Sequence, residues 1–440
     1  MGVISMGDKI RVLTNPQRRI AIRSGSRGTN SSQPGRPIDF GWRLHGKTIH
    51  VLTDSSLTLL PGRKRATAAL LSEYCTDGNS LMSCLQCGVC TVNCRLAETD
   101  GTLFPRRQMT LLQLGHADKL LADPNVWLCF NCQDCTSHCP AKARPGRIMA
   151  AIRQLAVEHY STPRFWTRLA NRRQGFLWML LTATALLLAA IAAGGSFSPQ
   201  VSPVRYASMV PHFTLNLFFG AVTAAVLIAA MIGAARAWKA FTGESLWRAR
   251  PGRLVSSVIS VARQLATHER FSACQQFPWS RWAHISVFYG FSTLLVLAGV
   301  AATRIALGAP YPLPALHPLK IAGNIAAGLI VGGSVYFWVQ RQRASRDGDA
   351  SSWFDWFLLL ELLLVSITGV LAEIFRYANL AMLAYPTYFL HLAFVFVLLA
   401  GFANSKLAHA LYRVVALAAE EYQSISVAPL SDLEPRRVAA

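Results

Sequence analysis

Long apolar runs dominate the second half of the chain. Six segments of roughly 18–25 residues are mostly apolar, and each is long enough to cross about 30 Å of hydrocarbon as a helix. They lie at approximately 176–195, 213–234, 284–305, 319–339, 354–375 and 385–407. The fourth contains the glycine-rich stretch GNIAAGLIVGG, which suits close packing between membrane helices. The pattern predicts a transmembrane helical bundle rather than a soluble protein with many buried helices.

The rest of the chain divides into tails and a compact region. Residues 1–60 are rich in Arg, Ser, Gly and Thr and keep neither a helical nor a strand period, which predicts a basic, mostly disordered tail. Residues 65–160 are predicted to form a cysteine-bearing domain, residues 175–412 the transmembrane domain and residues 413–440 a cytoplasmic tail. We expect an all-α fold and no cleavable signal peptide, because the first apolar run begins after residue 170.

The composition agrees with a membrane protein. Apolar residues make up 52% of the chain and charged residues 15%, whereas soluble domains have about 25% charged residues. The net charge of +21 has two alternative sources, nucleic-acid binding or positive residues that flank membrane spans. Lys and Arg cluster beside the apolar runs, which favours the second source, and we expect no nucleic-acid partner.

Loop charge alternates along the predicted bundle. Lys and Arg are frequent before the first run and in 235–283 and 340–352, whereas 196–212, 306–318 and 376–384 carry one Arg or none. Loops rich in Lys and Arg stay on the cytoplasmic side of a membrane. We therefore predict a multi-pass protein of the inner (cytoplasmic) membrane, with both termini and the cysteine domain in the cytoplasm.

Eight of the ten cysteines form two tight groups with the same spacing. The groups are Cys84-x2-Cys87-x2-Cys90-x3-Cys94 and Cys129-x2-Cys132-x2-Cys135-x3-Cys139, the second followed by Pro140. This is the spacing of ferredoxins with two [4Fe–4S] clusters. Zinc sites use two CxxC pairs instead, so a zinc site is disfavoured. We predict two [4Fe–4S] clusters, with Cys75 and Cys274 as ordinary free thiols.

The ligands of the two clusters are expected to be crossed, because the fourth cysteine of each group points to the other cluster. The first cluster takes Cys84, Cys87, Cys90 and Cys139. The second takes Cys129, Cys132, Cys135 and Cys94. Arg95 occupies a position where such groups often have Pro, which loosens the turn and removes no ligand.

Two stretches of the cysteine region resemble a known family. They are FPRRQMTLLQLG and NVWLCFNCQDCTSHCPAKARPGRIMAAIRQLA. They resemble the small iron–sulfur subunit of heterodisulfide reductases. Fusion to a membrane domain, over 65–412, resembles the membrane subunit of the quinone-interacting membrane-bound oxidoreductase (Qmo) complex. The resemblance implies an α-helical ferredoxin domain, a haem-b membrane domain, and two flavoprotein partner subunits that link the quinone pool to adenylylsulfate reductase in sulfur metabolism.

An iron–sulfur domain on a membrane needs a further carrier to reach quinone, and bis-histidine haem b is the usual one. His391 lies in the last predicted run and His409 just after its end, eighteen residues later, so on one continuous helix they would be five turns and about 27 Å apart along one face. We predict one or two haems b. His284, at the start of the third run, is the expected partner of His409, and His317 or His212 that of His391. Alternatively, these histidines are ordinary interfacial residues.

Polar residues within the runs are candidates for quinone chemistry, because a charge in hydrocarbon is costly and quinone reduction also takes up protons. Glu361 lies about two turns into the fifth run. The outer ends of the runs hold Lys320, Asn324, Glu373, Arg376 and Tyr385. The alternative is that Glu361 pairs with a polar neighbour and that the others anchor the ends of the spans.

The favoured function is electron transfer between membrane quinone and a cytoplasmic flavin or iron–sulfur partner. The chain has no GxGxxG fingerprint between a strand and a helix, so we expect it to bind neither flavin nor nicotinamide itself. One alternative is a transporter or membrane scaffold with a redox-sensing ferredoxin domain. Another is an iron–sulfur and haem subunit of the tricarballylate-utilisation type, whose flavoprotein partner would differ.

Overall fold

The computed structural model describes residues 13–14, 18–19, 39–44, 47–52, 79–194, 198–267, 278–309, 312–346 and 351–426. The chain divides into two compact units, Met1–Pro61 and Gly62–Ala440. Cys75, Cys274 and residues 427–440 lie outside the described residues, so what the sequence predicts for them stays a prediction.

The described residues of the first unit form two short antiparallel hairpins. In one, β1 (Leu13–Thr14) pairs with β2 (Arg18–Arg19), and in the other β3 (Asp39–Leu44) pairs with β4 (Lys47–Leu52). Most of the basic tail predicted at 1–60 lies outside the described residues, and its disorder stays a prediction.

Short helices surround the cysteines of the second unit, and one long helix closes the domain. They are α1 Asn79–Met82, α2 Val89–Val92, α3 Arg95–Asp100, α4 Arg106–Gln113, α5 Ala117–Leu121, α6 Asn125–Leu128, α7 Asp134–Ser137 and α8 Pro145–Tyr160. The buried face of α8, with Met149 and Ile152, packs in one apolar core with Leu120 and Leu128. The described residues from 79 to 426 contain no strand, so the predicted all-α fold is confirmed.

The second half of the unit is built from longer helices. They are α9 Arg164–Ala170, α10 Arg173–Ala193, α11 His212–Thr242, α12 Pro251–Thr267, α13 Pro278–Ala306, α14 Pro318–Arg346, α15 Trp353–Tyr377, α16 Ala381–Ala400 and α17 Ala408–Ser426. Among the described residues, α10, α11, α13, α14, α15 and α16 are long and apolar enough to cross a membrane. These helices correspond to the six predicted runs and indicate a multi-pass membrane protein.

Proline and glycine mark several helix ends. A proline is the first residue of α8, α12, α13 and α14, where its fixed φ suits the first turn and its missing N–H leaves no helical hydrogen bond unmade. Gly243 follows α11 with φ 80°, and its N–H bonds to the carbonyl of Lys239. A left-handed residue at this position favours glycine, and it ends the helix.

Glycines also let α13 and α14 approach closely. A Cβ on Gly290 would stand 2.8 Å from the carbonyl oxygen of Ala326, and a Cβ on Gly333 would stand 2.7 Å from that of Ala283. Small residues at such contacts are typical of packing between membrane helices. From this pair the bundle continues in order, because α14 packs on α15, α15 on α16, and α16 on α10 and α11.

The prediction that one last span carries both His391 and His409 is wrong. Helix α16 ends at Ala400, and residues 401–407 form a turn before α17 begins. Polar side chains build this turn: Asn404 accepts a hydrogen bond from the hydroxyl of Thr167 at 3.0 Å. The two histidines therefore lie on different helices. The boundary predicted at 412 falls inside α17.

The cysteine domain packs directly on the helical bundle through an aromatic contact. Tyr412 on α17 lies with its ring 5.0 Å from Trp127 and 5.7 Å from Tyr160, both in the cysteine domain. A Cβ on Gly233 of α11 would stand 2.7 Å from the Tyr412 hydroxyl, so this position needs glycine. We call the end of the bundle that carries this contact the proximal end, and the opposite end the distal end.

Candidate functional site

The two cysteine groups adopt the same backbone conformation. In the first, Gln86 and Gly88 have φ values of 56° and 87°, and in the second the equivalent Asn131 and Gln133 have 59° and 67°. A short helix follows each loop, Val89–Val92 and Asp134–Ser137. These left-handed residues bend each loop around its own centre, and Gly and Asn tolerate this conformation well. Each loop therefore turns its first three cysteines around one volume.

The thiols form two spatial sets, and each set combines the first three cysteines of one sequence group with the fourth cysteine of the other. The thiol of Cys90 interacts electrostatically with three others. Its neighbours are Cys84, Cys87 and Cys139. The thiol of Cys135 does the same with a second set, and its neighbours are Cys129, Cys132 and Cys94. Each set thus contains three cysteines of one group and the last cysteine of the other. This is the crossed arrangement expected from the spacing.

The chemistry of these thiols fits positively charged metal centres. Burial and the neighbouring thiols raise the pKa of Cys94 to about 11 and raise that of Cys135 as well, so thiolates here need a positive centre to balance them. Within the described residues, no three His, Cys, Asp or Glu stand close enough to hold a single metal ion. Tetrahedral zinc draws its thiolates to about 4 Å from one another. Two sets of four thiols fit two [4Fe–4S] clusters.

Two arginines converge on the loop of the second group. Arg413 Nη1 on α17 donates to the carbonyl oxygens of Trp127 at 3.2 Å and Cys129 at 3.4 Å. Arg153 Nη1 on α8 donates to the same Cys129 carbonyl at 3.2 Å. Arg413 also lies over the ring of Phe130, 5.3 Å from its centre. The sequence pattern did not point to either arginine, because no spacing rule connects residue 413 to residue 129.

His409 lies beside this contact with one ring nitrogen directed at the main chain. Its Nδ1 lies 2.5 Å from the carbonyl oxygen of Lys406, so Nδ1 carries the proton and donates it. Burial lowers the pKa of His409 to about 4, and the ring is therefore neutral. A neutral ring with Nδ1–H bonded to a carbonyl presents Nε2 as an electron-pair donor, which is how histidine binds a metal.

His391 shows the same arrangement inside the bundle. Its Nδ1 lies 3.1 Å from the carbonyl oxygen of Val365 and 3.3 Å from the hydroxyl of Thr368, both on α15. The ring rests on Gly369, where a Cβ would stand 2.9 Å from ring carbon Cε1. Nε2 is again the nitrogen left for a ligand.

The other predicted haem histidines differ in their roles. His317 Nδ1 accepts a hydrogen bond from the main-chain N–H of Leu319 at 3.2 Å, so its proton lies on Nε2 and the ring caps the start of α14. This geometry does not suit an iron ligand. His284 lies on α13 and His212 opens α11, and α11 contacts both α13 and α17. The pairing of His284 with His409 stays a prediction.

Two of the predicted quinone residues form an ion pair. Lys320 Nζ lies 3.1 Å from Glu373 Oε2, which joins the distal ends of α14 and α15. Tyr385 donates to the carbonyl of Gln200 at 2.7 Å, and Arg376 lies over the ring of Tyr377. These contacts join helices at the distal end, and the quinone role of Lys320 and Glu373 stays a prediction.

Glu361 stands apart, fully buried with both carboxylate oxygens lacking a hydrogen-bond partner among the described residues. Two contacts set the antiparallel register of α14 and α15: the ion pair of Arg341 with Asp355 and the ring contact of Trp338 with Trp356. In this register Ser334 lies level with Glu361. Ser334 is also fully buried, and its hydroxyl lacks a partner within the same part of the chain. Two orphaned polar groups at one level mark a polar position within the apolar bundle.

Comparison with known proteins identifies the cysteine domain. The family model of the 4Fe–4S dicluster domain matches residues 80–143, which include all eight grouped cysteines. A protein of Archaeoglobus profundus that is named as like the C subunit of heterodisulfide reductase is 40% identical over 81 residues, 18% of this chain and 43% of that protein. The C subunit of the H(2):CoB-CoM heterodisulfide,ferredoxin reductase of Methanothermobacter marburgensis is 34% identical over 84 residues, with the same coverages.

The similarity to these two relatives covers 18% of this chain. The chain spans less than half the length of these two curated relatives, 43% in each case. No solved structure matches the chain. The homologues are heterodisulfide reductase C subunits with a 4Fe–4S dicluster domain, which supports iron–sulfur electron transfer by this chain.

Proposed function

We propose that the chain carries electrons between membrane quinone and a cytoplasmic flavoprotein or iron–sulfur partner, as a Qmo-like subunit linked to sulfur metabolism. The contact of Arg413 with the Cys129 carbonyl carries this proposal. Arg413 lies one turn after His409 on α17, so a single helix joins a cluster loop to a histidine poised for haem. Electrons can then pass from the second cluster into the bundle.

The first cluster is the proposed point of contact with the partner. Cys87 is exposed, and Leu85, Val92 and Leu103 around it expose more than half of their surface. Arg106 lies beside Gly88 in the same loop region. An exposed apolar patch with a basic rim fits an electron-transfer partner with acidic residues around an apolar centre, and such association weakens as salt concentration rises.

Haem b is the proposed carrier within the bundle. His409 and His391 both donate Nδ1–H to main-chain carbonyls and keep Nε2 available, and haem would supply a one-electron centre there. His284 is the proposed second ligand of the haem at His409. The number of haems follows from whether His391 also finds a partner histidine, for which His212 is the remaining candidate.

Glu361 is the proposed proton-handling residue for quinone. Quinone reduction takes up protons along with electrons, so its site needs a group that holds a proton near the carrier. Gly333 packs on Ala283, so Ser334 and His284 lie within about one helical turn of the level of Glu361. A fully buried carboxylate without a partner among the described residues is functional by default in this position.

We place the cysteine domain on the cytoplasmic side of the inner membrane. The proximal ends of the helices adjoin the segments 235–283 and 340–352, which are rich in Arg and Lys. The positive-inside rule assigns these segments to the cytoplasm, where reduced thiols also persist.

The proposal is tested on the purified full-length chain in detergent or in lipid nanodiscs. A dithionite-reduced minus oxidised optical spectrum should show b-type bands, and a quinol analogue should reduce them. Glu361→Gln should slow this reduction at least about tenfold while leaving the dithionite spectrum unchanged. Gln has the shape of Glu and does not ionise, so it isolates the proton. Ser345→Ala, at an exposed position near the proximal end of α14, serves as the control.

A chain with clusters and no haem, which does not react with quinol, would favour the redox-sensor alternative. If the quinol analogue reduces the b-type bands of Glu361→Gln at the normal rate, Glu361 has no part in the proposal. Reduction of partner flavins in reconstitution should require intact clusters, and turnover of a soluble substrate by the chain alone would contradict the proposed role.

A further inference from the structure

We propose that Arg413, from the membrane half of the chain, raises the reduction potential of the cluster bound by the set that contains Cys129. The proposal rests on the iron–sulfur part of the proposed function and is independent of haem and quinone. It makes α17 part of the cluster's electrostatic surroundings, in addition to its role in packing the two halves together.

The guanidinium of Arg413 is held in place from three directions. Its Nη1 donates to two carbonyls of the loop, those of Trp127 and Cys129, at 3.2 and 3.4 Å. Its carbon Cζ lies 5.3 Å from the ring centre of Phe130, the residue after Cys129. A guanidinium with two acceptors and an aromatic face has little freedom to leave, and it stays charged at every physiological pH.

Hydrogen bonds within the loop also reach the thiol of Cys129. The main-chain N–H of Asn131 donates to Cys129 Sγ at 3.4 Å, and Arg153 Nη2 donates to Asn131 Oδ1 at 2.9 Å. Arg153 Nη1 binds the same Cys129 carbonyl as Arg413. Two positive groups therefore act on one ligand residue, one from the cysteine domain and one from the membrane half.

Positive charge near a cluster favours its reduced form. Reduction adds one electron, taken from the donor that is oxidised, and no bond forms or breaks. The added negative charge is stabilised by a nearby cation, and more strongly in a partly buried site than in water. Hydrogen bonds and charge around the ligands are established means of setting cluster potentials. Removal of the Arg413 charge should lower the potential of this cluster.

The membrane half supplies this charge because α17 is fixed against the cysteine domain. Tyr412, the neighbour of Arg413, is fully buried and contacts the rings of Trp127 and Tyr160. The contribution of Arg413 to stabilising an electron on the second cluster is thus present only where the two halves are correctly packed. Arg153 continues to bind the Cys129 carbonyl when Arg413 is changed, which keeps the loop closed in the variants below.

The test is a potentiometric titration of the full-length chain followed by EPR, with iron content measured on the same samples. Arg413→Gln should lower the reduction equilibrium constant of one cluster about tenfold, which is a shift of about 59 mV for one electron, and leave the other cluster unchanged. The signal of the affected cluster is assigned with Cys132→Ser. Arg343→Gln, which removes the same charge from an exposed position at the proximal end of α14, should shift neither cluster.

Arg413→Lys keeps the charge and loses the planar fork. Its reduction equilibrium constant should stay within about threefold of that of the unmodified chain. Iron content and EPR signals of the unmodified chain test the clusters themselves. The proposal is overturned if Arg413→Gln retains its iron and shifts neither cluster, if Arg343→Gln gives the same shift, or if Arg413→Lys lowers the reduction equilibrium constant about tenfold. If Arg413→Gln loses iron, the potential measured for Arg413→Lys tests the proposal instead.

Discussion

Gly369 lies so close beneath the ring of His391 that a Cβ on it would stand 2.9 Å from the ring carbon Cε1. The ring fills the space that any other residue would occupy, and its Nδ1 bonds to the Val365 carbonyl one turn earlier on the same helix as Gly369. The missing side chain of Gly369 and the hydrogen bond together determine the orientation of His391.

We expect Gly369→Ala to displace His391. Overpacking at such a contact costs about 1–3 kcal/mol, and the ring is the part that moves. If His391 binds haem, the variant should lose or shift one b-type band and the corresponding EPR signal. Gly332→Ala, where a Cβ would meet nothing within 4 Å, is the matched control and should leave the spectrum unchanged. An unaltered spectrum in Gly369→Ala would exclude His391 as a ligand.

Chemical analysis should find about eight irons outside haem, because each cubane contains four. Cys132→Ser should reduce this to about four, since it removes one ligand of the second thiol set and leaves the first set intact. Iron and sulfide analysis with EPR measures this directly. Stoichiometric zinc with no iron would contradict the cluster assignment for both groups.

The b-type spectrum should depend on His409 and not on His317. His409→Ala removes Nε2 of a neutral ring held by the Lys406 carbonyl and should abolish one b-type band. His317→Ala should leave all bands in place, because its ring caps α14 through the N–H of Leu319. Reduced minus oxidised spectra of both variants separate the two roles. A band that survives in His409→Ala would rule this histidine out.

Reporter fusions should reveal alternating sides along the chain. Fusions after Arg205 and Pro312 should report the outer side, and fusions after Arg250 and Arg346 the cytoplasm, because the basic loops stay inside. Phosphatase and fluorescent-protein reporters at each site measure this. Any inversion among the four would mean that loop charge does not orient this bundle.

The local pattern of the sequence was enough to predict the iron–sulfur domain and the six long apolar helices. Spacing between cysteines a few residues apart is set by the loop that wraps a cluster, so it is visible without any tertiary information. Runs of apolar residues reflect the thickness of hydrocarbon and are equally local. The crossed thiol sets also followed, because the fourth cysteine of each group cannot turn back to its own loop.

Local pattern failed where a short polar stretch interrupts an apolar run. Residues 385–407 have the length and apolar character of one helix, but Asn404 bonds to Thr167 and the chain turns after Ala400. The helical spacing computed for His391 and His409 therefore did not apply. The partner that stabilises the turn is more than two hundred residues away, so no window of the sequence contains both.

Residue types at single positions indicated chemistry, and the tertiary structure decided which of these residues have partners. Glu361, Lys320 and Glu373 were equivalent as charged residues in apolar runs, yet packing pairs Lys320 with Glu373 and gives Glu361 no partner among the described residues. Likewise, only the docking of α17 brings Arg413 to the Cys129 carbonyl. Spacing and hydropathy describe neighbours along the chain. Ion pairs, helix caps and charges near a cluster depend on neighbours in space, which the fold alone brings together.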